Sequence, residues 1–217
     1  MTPIDIPGEL RDRAVSLVER YFATDGDGRA RYSGAQFERL GGGGDRPDVA
    51  CRFTEADLLA VSMLSVRIDG YHALHVLEYR ADELNSLLAE IPADIALADP
   101  GAGDLVADGM PADVLWQAVC EIRPRPKDKR IGPVAAGKLL ARKRPHLIPV
   151  YDSRVKKVLH RPYTDRWWWR DLRAQLAGDP ALVHQLESVR VRSNAGHLSL
   201  LRTFDVMCWM YSWEQQP

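Results

Sequence analysis

Apolar residues return at three- and four-residue steps along almost the whole chain, a spacing that suits helices and not strands. Leu10, Ala14, Leu17, Val18 and Tyr21 follow Pro7 in this pattern and predict an amphipathic helix over 8–23. Thr54-Glu55-Ala56-Asp57 has the form of an N-cap with an acidic first turn, and opens a helix through about Val66. A turn at Asp69-Gly70 precedes helical stretches over 71–78 and 81–91, the second ending at Pro92. Pro111 suits the first position of a helix through Cys120. Further helices are predicted over 133–143, 152–160, 165–176, 180–189 and 196–213, with Pro145, Pro162, Gly178-Asp179-Pro180 and Gly196 as punctuation. Leu147 to Val150 is strand-like but too isolated to build a sheet, so the fold class is all-α.

At 217 residues and 46% hydrophobic, the chain can bury a full core as one domain or two lobes. Its net charge of -1 conceals a division. Residues 1–120 hold ten arginines, no lysine and 21 acids, whereas 121–217 hold 19 bases and nine acids. Sixteen of those bases fall within 121–173. The reading is an acidic helical region, 1–110, and a basic one, 111–217, packed as one two-lobed unit. Such asymmetry points to an anionic partner, of which nucleic acid is the commonest. No apolar run is long enough to span a bilayer, and Met1-Thr2-Pro3-Ile4-Asp5 lacks the features of a signal peptide, so a cytoplasmic location and no membrane partner are expected. Oligomeric state is not legible.

Cys51, Cys120 and Cys208 are odd in number and far apart, which excludes a disulfide framework and reads as core thiols. His72 and His75 lack the acidic companions of a zinc site, so neither a metal nor a cofactor is expected. Gly41 to Gly44 could wrap a phosphate, but no Gly-Lys-Ser/Thr follows, and they read as a flexible loop.

The most motif-like stretch is 127–158. Ile131-Gly132-Pro133 forms a tight turn before a helix whose first turn has no large side chain. Open amides and the positive end of the helix dipole there attract an oxyanion whatever the base sequence. Lys127, Lys129, Arg130 and Lys138 would add counterion release. The competing reading of these cations is a solvated basic face.

This segment resembles the helix-hairpin-helix of the base-excision DNA glycosylases. Gly132 matches the second hairpin glycine, Ala136 the small helix residue, and Asp152-Ser153-Arg154-Val155 the segment that begins with the family's catalytic aspartate. The resemblance implies a two-lobed helical glycosylase-like fold and a duplex DNA partner with an everted base, RNA remaining open. It assigns Lys129, Arg130, Ile131, Gly132, Val134, Lys138 and Arg154 to the nucleic-acid backbone, Asp152 to catalysis, and Tyr151 and Trp168 to a base pocket. Arg130 replaces the first hairpin glycine, Pro133 removes one amide, and Arg154 stands where the family often has histidine. Val134 occupies the position of the Schiff-base lysine, so the enzyme implied is monofunctional, using an Asp152-activated water without lyase activity. The whole chain also resembles an uncharacterised bacterial family of similar length, through Phe37 to Gly44 and Ile148 to Asp152; that likeness supplies no activity.

Asp152 equally fits a structural N-cap. Trp167, Trp168 and Trp169 turn about 100° per step on a helix, so they cannot all face one core stripe. Three functions follow as expectations: base excision through Asp152, non-catalytic nucleic-acid binding through the hairpin, and an interaction module whose acidic half covers its own basic half.

Overall fold

The computed structural model describes residues 4–162 and 168–215, and among these it is helical, with no strand beyond a single bridge between Thr24 and Ala30. The first residues of the helix expected over 165–176, Trp167 among them, lie outside the described residues. The helices are α1 (Gly8–Phe22), α2 (Glu55–Ser62), α3 (Gly70–Leu74), α4 (Ala81–Ala89), α5 (Gly103–Val106), α6 (Pro111–Cys120), α7 (Pro133–Lys143), α8 (Ser153–Val158), α9 (Trp168–Gly178), α10 (Pro180–Arg192) and α11 (Leu200–Glu214).

Local chemistry explains most boundaries. Thr54 and Asp57 form a reciprocal capping box at α2, and Pro111, Pro133 and Pro180 open α6, α7 and α10. Helix α2 stops short of the expected Val66 because Ser65 takes a left-handed conformation with φ 61°. The stretch expected as one helix over 71–78 is instead the short α3 followed by a π turn over His75–Tyr79.

One continuous core runs from Ile4 to Tyr211 and draws on both charge halves. Helix α7 packs against α6 and α2, while α11 packs against α1, α8 and α10. Helix α9 reaches back to α5. The four glycines are not a free loop. Gly41, Gly42 and Gly43 take positive φ, and Gly44 lies so close to α7 that a Cβ would stand 2.5 Å from the Arg142 carbonyl and 2.8 Å from Asp57. They are glycines because the backbone turns and then abuts a helix end. Among the described residues no helix is long and apolar enough to cross a membrane.

Candidate nucleic-acid interface and the buried charge cluster

The basic segment divides into an inward and an outward part. Lys138, Arg142, Lys143 and Arg144 are all buried. Asp57 accepts from Arg142 Nε at 3.2 Å and Lys143 Nζ at 3.1 Å, while the Arg142 guanidinium also donates to the carbonyls of Phe37 and Leu40. Arg144 needs no carboxylate. It donates to the carbonyls of Leu88 and Ile91 around the end of α4 and to that of Ala50, at 2.7–2.8 Å. These cations join the acidic half to the basic half, and none of them can meet a solvent-borne phosphate.

Lys138 is therefore corrected as a backbone contact. It is 3% exposed, and its ammonium donates to the Leu64 carbonyl at 2.8 Å and to Asp152 Oδ2 at 3.3 Å. Burial lowers its pKa, opposed by the Asp152 charge. The Leu64 carbonyl is available because α2 has already ended.

Asp152 caps α8. Its Oδ1 accepts from the amides of Arg154 at 3.0 Å and Val155 at 3.2 Å, leaving Oδ2 for Lys138. The side chain is 15% exposed. In the electrostatic reach of this pair lies a second one. Arg202 contacts Glu38 through Nε at 2.5 Å, Asp205 at 2.6 Å and the Tyr21 hydroxyl at 3.0 Å. Burial, outweighing the neighbouring Arg202, pushes the Asp205 carboxyl up to about 7. Glu38 Oε2 and Asp205 Oδ1 accept no hydrogen bond among the described residues. The periodicity of α11 marks Leu201 and Phe204 as core and gave no signal for Arg202 and Asp205, because the groups that Arg202 meets besides Asp205 come from the first forty residues.

The two pocket residues are together but closed on each other. Tyr151 and Trp168 stack at 4.5 Å between centroids and 11° between planes, and Phe204 lies near-parallel to the buried Trp168 at 6.4 Å. A base cannot enter a stack already at contact distance. Arg154, assigned to the backbone, instead holds its guanidinium over Trp209 at 5.1 Å and Trp213 at 4.8 Å. The thiols also divide: Cys208 is buried and Cys120 is pushed up to about 12 by burial, but Cys51 is exposed rather than core.

The outward part is the loop between α6 and α7. Arg123, Arg125, Lys127, Lys129 and Arg130 are all exposed. Arg125 pairs with Asp128 at 2.7 Å and covers the Tyr71 ring, whereas Lys127, Lys129 and Arg130 make no ion pair among the described residues. His72 Nε2, 2.8 Å from the Lys129 carbonyl, ties the loop to α3. Gly132 is the N-cap of α7 with φ 79°, a conformation suited to glycine. The amides of Gly132, Val134 and Ala135 have no hydrogen-bond partner among the described residues, but the amide of Ile131 donates to the Ile122 carbonyl at 3.2 Å and so leaves the expected set of phosphate donors.

Among the described residues no group of three or more His, Cys, Asp or Glu side chains is placed to hold a metal ion. A family model described as a family of unknown function (DUF6308) matches residues 14–212. No curated protein and no solved structure matches the chain.

Proposed function

The chain belongs to the DUF6308 family, and because that family's function is unknown, we propose from the geometry alone that it docks on the phosphate backbone of duplex DNA without excising a base. In this reading α6, the loop and α7 act as a helix-hairpin-helix within a two-lobed helical body. The observation that carries it is the coincidence of amides without a partner among the described residues, at the start of α7, with the three exposed cations Lys127, Lys129 and Arg130. Amides bind phosphate oxygens without reading bases, and each neutralised phosphate releases counterions.

Excision has weaker support. A carboxylate that orients water beside a sugar must offer a free lone pair toward an open cleft. The two Asp152 oxygens already serve the α8 cap and Lys138. Tyr151 and Trp168 form no slot for an everted base.

The test is an anisotropy titration with a labelled duplex at low salt. Binding by the wild type, lost in Lys129→Glu/Arg130→Glu and retained in Lys157→Glu, an exposed position of α8, supports docking. A flat wild-type titration, or a double variant that binds as well as wild type, refutes it. An alkali-labile strand break on a damaged-base duplex that vanishes in Asp152→Asn would replace docking by excision.

A further inference from the structure

The C-terminal end of α1 and the last turns of α11 enclose an open cavity of about 370 Å³, lined by Arg20, Arg31, Tyr32, Met210, Trp213 and Glu214. No residue of the α6–α7 loop lines it. Its apolar wall is Trp213, 44% exposed, which stacks on Trp209 at 5.3 Å and 8°. Tyr32 meets both indoles edge-on at 5.6 and 6.3 Å and stacks on Tyr21, so the exposed ring is held by a packed aromatic cluster. The Arg154 guanidinium lies 4.8 Å from the Trp213 centroid, and the remainder of the ring is open to solvent at a site the surrounding packing has fixed.

The polar wall carries three groups. Arg31 is exposed and makes no ion pair among the described residues. Glu214 is held from two sides by Arg13 and Arg20, the latter at 2.6 Å. A fixed carboxylate accepts from N–H groups, a guanidinium binds an oxyanion, and an indole face takes a planar ring. Few ligand classes offer all three complements at once.

We propose that this cavity binds a purine nucleotide, its base against Trp213, its amino group toward Glu214 and its phosphate at Arg31. The same chemistry is presented by a free mononucleotide and by a nucleotide of a single strand. The site uses neither Lys129 nor Arg130 and stands whether or not the loop docks on DNA.

Calorimetric titrations of the full chain with 5′-AMP, adenosine and a short deoxyadenosine oligonucleotide test it. Arg31→Ala, a surface change, weakens AMP at least about tenfold and leaves adenosine unchanged, whereas Trp213→Leu weakens both about tenfold. Tighter binding of the oligonucleotide than of AMP assigns the site to a strand, and the reverse assigns it to a free nucleotide; either supports the cavity. Lys129→Ala/Arg130→Ala binds AMP as wild type does. Absence of binding by both AMP and the oligonucleotide, or binding indifferent to Arg31→Ala and Trp213→Leu, overturns the proposal, as does loss of AMP binding in the loop variant.

Discussion

Asp152 shows how one side chain can serve two structural demands at once, and substitutions separate them. Asparagine keeps an acceptor for the α8 amides but loses the charge opposite Lys138; alanine loses both. Urea denaturation should therefore find Asp152→Asn destabilised by about 1–3 kcal/mol and Asp152→Ala by about 1 kcal/mol more, with duplex binding unchanged in the asparagine variant. Asp205 gives a pH signature. With its carboxyl raised from 3.8 to about 7, the folded chain keeps a proton that the unfolded chain releases. Its contribution is then fully present below pH 4 and declines as pH rises to about 7, beyond which it is constant. Asp205→Asn should flatten stability against pH in that window; an unchanged slope in the variant would assign the titration elsewhere. Residue identity alone gave no view of these pairs, because a lysine or aspartate in sequence carries no mark of burial.

At the scale of elements, the helices were legible where proline or a capping residue coincided with the hydrophobic period. Helices α6 and α7 begin and end where Pro111, Cys120, Pro133 and Lys143 indicate. The direction of α7's charges was not legible. Ala135, Ala136, Gly137 and Ala141 let α6 and α2 approach closely, which covers flanks that the lysines and arginines suggest are solvated. The adjacent run of glycines was the available clue, since such a run signals close backbone contact as readily as a free loop. The loop before α7 behaves as its composition implies and supplies the element's own test. Replacing Lys129 and Arg130 together by alanine should lower the slope of log affinity against log salt by about 2 and weaken all duplex sequences alike. A slope equal to that of wild type would show that these cations do not touch phosphate.

For the whole molecule, the opposed charges of the two halves are in part spent on holding it together. Asp57, from the acidic half, pairs with both Arg142 and Lys143 at the end of α7, and Glu38 pairs with Arg202 on α11. Removing one member strands buried charge, so Asp57→Ala should cost about 3–5 kcal/mol in denaturant unfolding, far more than an exposed pair such as Arg29–Asp27. A loss below 1 kcal/mol would contradict the role given to this pair. What remains outside is a basic loop beside open helix amides, and the account of function rests on that remainder. Hydrogen exchange of the full chain with and without duplex DNA examines it most directly. The account predicts slowed exchange over 127–136, with Asp152 to Val158 unaffected; protection centred on α8, or none along the loop, would contradict it.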